Sequence, residues 1–513
     1  MEPINILFKK TEDGLTSNSI NISQPGCFVD LNLDQIIEEV VSGKEEYDLK
    51  PFFYTPLKEP ESILYRQQIM LDIQDNKLFG VIEVFAENMR QIRGLLPKAE
   101  KLYHRYQKER LFLDSVDLYW SAVKLLYESL NVLDLKSEGL ISFRVYLKGY
   151  IHSGRFTSLV RQTQQLVTEL STVKYAILTN KLRVQVLPYT VKNDYNSEVA
   201  KIFEKFKPAA AKDYSIEFPA FSDMNDVEGK IAEGVATLYP DLFQRLEGNY
   251  VNHADYQDQT ILDFDREIQF YISYLTYIEK LERAGLKFCY PEVSTLDKEI
   301  YNTEGFDIAL ANKLVREKKI MVSNDFYLKG KERIIVVTGP NQGGKTTFAR
   351  SFGQMHYLAS IGCPVAGKVA KLYLFDKLFT HFEKEENIKE QHSKLEDDLF
   401  RIHHILEEST SSSIIIMNEI LSSTTLQDAV FLSEKIMAQI VSKDVLCLWV
   451  TFIDELTLFS KKNVSMVSKV MDADSAIRTF KIVRSPADGL AYAISIAEKY
   501  KVTYDHLMKR IQP

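Results

Sequence analysis

Eight consecutive residues, Gly339-Pro340-Asn341-Gln342-Gly343-Gly344-Lys345-Thr346, constrain this chain more than any others. They fit the G-x4-G-K-[ST] phosphate-loop pattern position for position. Four β-prone residues, Ile334 to Val337, lead in, and a helical stretch from Thr347 to Ile361 leads out. The loop needs that context: its backbone N–H groups must point inward at phosphate while the following helix N-terminus adds partial positive charge. The expected nucleotide contacts are Gly339, Pro340, Asn341, Gln342, Gly343, Gly344, Lys345, Thr346 and Thr347. Lys345 is expected at the β- and γ-phosphates and Thr346 at Mg2+, so ATP and Mg2+ are the expected cofactors.

A phosphate loop also needs a polar group on a neighbouring strand to organise the metal and the attacking water. Ser413-Ile414-Ile415-Ile416-Met417-Asn418-Glu419 reads as a buried strand with polar residues at its C-terminal end, where ligand sites of α/β sheets lie. The usual pair there is Asp-Glu. An amide oxygen lacks the negative charge a hard cation prefers, so Asn418 predicts a weak Mg2+ ligand or one acting through water. Glu419 is the expected general base, with Lys345 the other catalytic candidate. Further strands are expected at 445–450 and 477–483, with helices at 426–441 and 490–500. That alternation predicts a mostly parallel sheet covered on both faces.

At 513 residues the chain is too long for one ordinary core. Apolar residues at helical spacing (Leu33, Ile36, Ile37, Val40; Phe79, Ile82, Phe85, Met89; Val116, Trp120, Val123, Leu126) predict an all-α core over 31–180, broken at Pro51, Pro56, Pro60, Pro97 and Gly139. Residues 1–30 read as an irregular lead-in. Residues 181–225 read as a small α+β insert, with Arg183 to Leu187 a strand that Ser215 to Phe218 could pair. Lever helices and a Pro- and Gly-punctuated connector follow over 226–305, and a C-terminal α/β domain over 306–513. The stripe Ile268, Tyr271, Leu275, Ile278, Leu281 suits a lever or, more commonly, a core helix.

The formal charge of −8 argues against a uniformly basic coat. Residues 181–212 nevertheless hold seven Lys/Arg against three Asp/Glu, interleaved with Tyr189, Tyr195, Phe203 and Phe206. Lys181, Arg183, Lys192, Lys201, Lys205 and Lys207 are therefore candidate DNA-backbone contacts, the other meaning being a solvated face of a small insert. The four cysteines form neither metal spacing nor a disulfide framework, and no apolar run is long enough to span a bilayer. A cytoplasmic protein without membrane contact is expected.

Several of these stretches resemble one family. Thr338 to Thr347 is similar to T-G-P-N-M-G-G-K-S-T, the Walker A stretch of the MutS mismatch-repair ATPases. In order, Leu358 to Val365 resembles the segment after that motif, Phe375 to Thr380 resembles F-D-R-I-F-T, and Thr451 to Leu456 resembles T-H-Y-H-E-L. The likeness is specific over about 306–500. Over 31–305 it lies in order and texture, with Tyr65-Arg66-Gln67 resembling the start of the family's helical core. The resemblance implies an ABC-type ATPase domain working as a homodimer, with Ser393 completing the partner's site or else capping a charged helix. It further implies an ATP-driven clamp on DNA, read through backbone and shape, in mismatch repair or related DNA maintenance. Departures carry expectations too. Asn418-Glu419-Ile420-Leu421-Ser422-Ser423-Thr424 stands where the family has D-E-L-G-R-G-T, so a stiffer loop is expected. Phe452 stands where the family has a γ-phosphate-sensing histidine, so slow turnover is expected. With about thirty residues before the helical core, mismatch reading by the family's N-terminal domain is not expected. Two other functions remain: an ATP-switched protein-interaction module that leaves DNA alone, and a nucleotide-binding scaffold with negligible turnover.

Overall fold

A computed structural model of the chain describes residues 4–9, 23–180, 183–190, 223–383, 394–471, 474–487 and 502–511. The helical spacings become helices α1 (Cys27–Asp30), α2 (Leu33–Val41), α3 (Lys50–Phe53), α4 (Pro60–Ile73), α5 (Asn76–Lys101), α6 (Arg105–Val132), α7 (Glu138–Ile151) and α8 (Gly154–Ser171). Asp75 starts α5 by accepting from the N–H groups of Lys77 and Leu78, satisfying two donors that a helix N-terminus leaves unpaired. Pro97, expected to break the chain, lies inside α5. Near the C-terminal end it removes one intrahelical bond, and the buried face Ile82, Phe85, Met89, Ile92 holds the helix regardless. Pro51 and Pro60 sit in the first turns of their helices, where a missing N–H costs nothing.

Of the lead-in, residues 4–9 are irregular, as expected, yet buried at their centre. Ile6, Leu7 and Phe8 are fully buried. Their backbone is satisfied by buried side chains: Glu267 accepts from Ile6 N at 2.8 Å, and the hydroxyls of Tyr65 and Tyr271 donate to the carbonyls of Asn5 and Ile6. Three adjacent apolar residues supply the driving force, and the hydrogen bonds remove the penalty of burying irregular backbone.

Strand β2 (Arg183–Pro188) forms as expected, but its partner is β1 (Tyr175–Asn180), antiparallel, in register from Tyr175↔Pro188 to Asn180↔Arg183. The expected partner at 215–218 lies outside the described residues. Helices α9 (Asp226–Leu238), α10 (Pro240–Asn252) and α11 (Gln259–Glu282) follow. The stripe on α11 is buried at every position, and Phe270, Tyr274 and Tyr277 on its other faces are buried too. That is the pattern of a core helix.

Residues 288–305, expected as a connector, carry β3 (Phe288–Cys289), β4 (Glu292–Ser294) and β5 (Ile300–Gly305). After α12 (Ile308–Arg316) come β6 (Asn324–Leu328), β7 (Ile334–Thr338), α13 (Lys345–Ser360), β8 (Val365–Ala366), β9 (Val369–Tyr373), β10 (Leu378–Phe382), α14 (Lys394–Glu408), β11 (Ile414–Asn418), α15 (Leu426–Lys443), β12 (Leu446–Val450), β13 (Asn463–Met471), β14 (Asp474–Arg484) and α16 (Tyr504–Ile511). The principal sheet has the order β10-β11-β12-β7-β13-β14, parallel except for β14, which pairs antiparallel with β13. Its central strands β7, β11 and β12 are buried at every residue, as parallel strands covered on both faces must be. A second sheet runs β4-β9-β5-β6, and β3 pairs with β8.

The chain divides into two compact units. One comprises Met1–Ile4, Asp75–Leu135 and Leu140–Asp265; the other comprises Asn5–Gln74, Lys136–Gly139 and Arg266–Pro513. Among the described residues no helix is long and apolar enough to cross a membrane.

In the second unit Asp444 ends α15 in the left-handed conformation (φ 56°) and receives Lys462, Lys298 and Arg333 at 2.6, 3.1 and 3.1 Å. Burial works to raise its pKa, but hydrogen bonds from the three cations together hold it well below the usual carboxylate range. A depressed folded pKa contributes stability that is present above the unfolded value of about 4 and lost as pH falls through the folded one. Asp444→Asn keeps the left-handed preference and removes the charge. Its melting temperature is expected to lie below wild type at pH 7, with the gap closing as pH falls below about 4. Thermal melts across that range check this, and a gap independent of pH would refute it.

Candidate functional site

Strand β7 delivers the chain to the phosphate loop at the C-terminal edge of the sheet, and α13 starts at Lys345. The loop leans on β13. Ser468 Oγ donates to Gly343 O at 2.7 Å, and a Cβ on Gly343 would lie 2.3 Å from that oxygen. Gly339 takes φ 116° with its α-carbon against the Ser468 backbone, so a side chain there is excluded twice over.

Lys345 is 4% exposed, and its ammonium is wrapped by the loop: 2.8 Å from Gly339 O, 3.3 Å from Pro340 O and 3.3 Å from Asn341 Oδ1. Glu419 Oε1 lies 3.4 Å away. Burial lowers the Lys345 pKa, opposed by the Glu419 carboxylate. The two catalytic candidates, 74 positions apart in sequence, therefore meet in space. Asn418 ends β11, paired with Phe382 on one side and Val450 on the other. Its Oδ1 is buried and has no hydrogen-bond partner among the described residues. Thr346 and Thr347 are half-buried in the first turn of α13, while Asn341 and Gln342 are exposed. Phe452 follows Thr451 at the end of β12 and is half exposed.

A buried amide oxygen at the end of β11, with Thr346 in the first turn of α13, fits Mg2+ held chiefly by nucleotide phosphates and water rather than by a protein cage. No group of three or more His, Cys, Asp or Glu side chains that could hold a metal ion occurs among the described residues.

Sequence reasoning missed the residues that β14 brings to this loop. Arg478 Nε donates to Asn341 O at 3.2 Å, and its charge also depresses the Lys345 pKa. The β13–β14 pairing slips between Ser468 and Met471. Beyond the slip Phe480 takes φ 58°, close enough that a Cβ on Gly344 would lie 3.7 Å from it. Bulges of this kind re-aim side chains beside functional sites. Gln342, Glu419 and Leu421 are left-handed as well, each at a cost of about 1–2 kcal/mol for an L-residue. Strained backbone of this kind occurs at working sites, although Asn32, Asp48, Glu304, Lys318 and Asp444 are left-handed elsewhere.

Of the remaining candidates, Arg183 lies on the exposed β1–β2 hairpin. Lys181, Lys192, Lys201, Lys205, Lys207 and Ser393 lie outside the described residues.

The sequence profile of MutS domain V matches residues 335–508, which takes in the phosphate loop, β11 with Asn418 and Glu419, and the β13–β14 pair. This region is a MutS-family domain. The DNA mismatch repair protein MutS of Thermotoga maritima is 30% identical over 181 residues, 34% of this chain and 23% of that protein. Endonuclease MutS2 of Thermus thermophilus is 28% identical over 193 residues, 37% of this chain and 26% of that protein. MutS of Clostridium kluyveri is 28% identical over 238 residues, 44% of this chain and 27% of that protein. The likeness thus spans about a quarter of the curated relatives, and their namesake activities belong to those whole proteins.

Proposed function

We propose that this chain is a MutS-family, ATP-dependent DNA-maintenance protein whose domain over 306–513 is an ABC-type P-loop ATPase. The observation that carries the reading is the meeting of Lys345 and Glu419 over a glycine loop, with the unsatisfied Asn418 oxygen beside them. Gly339 to Thr347 hold the ATP phosphates, and Lys345 leaves the loop carbonyls for the β- and γ-phosphates when they arrive. Thr346, and Asn418 directly or through water, hold Mg2+, which when bound neutralises charge on the phosphates. Glu419 takes the proton of the attacking water. The chain works as a cytoplasmic homodimer through its ATPase domains, with Ser393 of each subunit completing the other's site. ATP-driven closure moves a clamp on DNA, held through backbone and shape by the basic residues from Lys181 to Lys207.

The test is ATP hydrolysis with and without DNA, at low and moderate salt, against Lys345→Ala as the blank. DNA stimulation that is lost in the blank and weakens with salt supports the reading. Robust turnover indifferent to DNA favours a second reading, an ATP-switched module for a protein partner. One observation favours that alternative: the β1–β2 hairpin beside the basic segment exposes Ile177, Leu178 and Val184. Exposed apolar strand residues suit a protein surface better than a phosphate backbone.

A further inference from the structure

The residues leaving β11 are held in a shape they would not choose. Glu419 and Leu421 both take left-handed φ, 52° and 61°. Leu421 stands where the family motif has glycine, and its side chain is fully buried, so it cannot relax without leaving the core. The backbone must be fixed from outside. Glu419 N donates to Val450 O at 2.9 Å. Leu421 N faces Asp398 Oδ2 at 3.4 Å, and the other oxygen of that carboxylate accepts from His381 Nε2 at 2.9 Å. Both side chains are buried, His381 completely. His381 lies on β10, level with Met417 on β11, and Asp398 lies on α14. Strand, helix and exit loop thus converge on one buried carboxylate. A second tie lies one residue on, where Ser422 Oγ donates to Glu383 Oε1 at 2.8 Å.

We infer that the His381–Asp398 pair is a positioning device for Glu419: it fixes the exit loop through the Leu421 amide and so sets where the catalytic carboxylate stands. The inference rests on the ATPase reading above. With both oxygens of Asp398 accepting, His381 carries its proton on Nε2 and holds the carboxylate toward the loop. Without the imidazole the carboxylate turns, the Leu421 N–H loses its acceptor, and the strained loop relaxes. This chain of contacts reaches the phosphate loop through Glu419, 3.4 Å from Lys345, while the loop's glycines and lysine keep contacts of their own, so the effect is expected on turnover more than on ATP affinity.

The test is steady-state ATP hydrolysis by the full chain carrying His381→Leu, Asp398→Asn or His381→Gln, with fluorescent ATP binding in parallel. His381→Leu and Asp398→Asn are expected to lower kcat about tenfold to a hundredfold, the scale of a misplaced catalytic group, with KM and ATP affinity within about twofold of wild type. His381→Gln, whose amide N–H can replace the imidazole donor, is expected to recover most of kcat. Unchanged kcat in His381→Leu overturns the inference, and so does an equal fall in all three variants without rescue. Amide hydrogen exchange on wild type gives a readout independent of whether variants fold. The Leu421 amide is expected to be protected like β11, and fast exchange there also overturns the inference. Wild type that neither binds nor hydrolyses ATP defeats the parent reading instead.

Discussion

Glu419→Gln is expected to reduce ATP turnover by about a hundredfold or more while ATP binding persists. Glutamine keeps the size and the hydrogen-bonding reach of the side chain but cannot take a proton from water. The phosphate loop is untouched, because its glycines are set by Ser468 and its lysine by loop carbonyls. Before nucleotide arrives, the substitution removes the carboxylate 3.4 Å from the Lys345 ammonium, the one influence that opposes the fall of its pKa through burial. The apo lysine then becomes harder to keep charged, and bound phosphates restore its counter-charge. The variant should therefore trap ATP: single-turnover hydrolysis slow, binding at neutral pH close to wild type. Equal turnover in Glu419→Gln and wild type, both above the Lys345→Ala blank, would place the base elsewhere. Both at the blank with ATP still bound would make the chain a binding switch, the outcome toward which Asn418 and Phe452 point.

Local signals were the ones legible in the sequence. The phosphate loop, its strand and its helix lie within thirty residues and carry their own steric logic, so β7 and α13 fall where the motif requires. The apolar run before Asn418 identified β11 for the same reason. What sequence could not show was anything assembled from afar. Ser468 and Arg478 reach the loop from 125 and 137 residues away, on a strand pair whose register slips before Phe480. The short strands of 288–305 exist because β8, β9 and β6 offer them ladders. The missing glycine at Leu421 was visible, but its meaning was not: the leucine adopts the glycine's conformation and anchors the loop in the core. Nothing in the sequence marks Arg66 as buried, since a charged residue on a helix is ordinarily at the surface.

Arg66 carries the second large prediction. It is completely buried on α4, with its guanidinium 4.9 Å from the Phe8 ring and 5.2 Å from the Phe270 ring. Nε donates to Leu7 O at 2.8 Å and Nη1 to Ile361 O at 2.9 Å. One side chain thus ties the N-terminal segment to the turn after α13, the helix that begins at the phosphate loop. Gly362 completes the fit, because a Cβ there would lie 2.7 Å from Arg66 Cβ. Arg66→Leu fills part of the volume but leaves two buried carbonyls without this donor, each worth about 1–3 kcal/mol. Losing the desolvated cation–π contacts adds about 2 kcal/mol. The expected destabilisation is about 4–8 kcal/mol, a large part of what a typical domain has. Arg66→Lys is expected to recover little, since an ammonium cannot present two fixed, divergent N–H donors to carbonyls on different segments. Denaturant unfolding measures the loss. Limited proteolysis locates it, with cleavage expected first between residues 4 and 9, whose burial depends on this contact. If either variant unfolds at the wild-type midpoint, the guanidinium is a passenger and the N-terminal segment is held by Glu267 and the tyrosine hydroxyls alone.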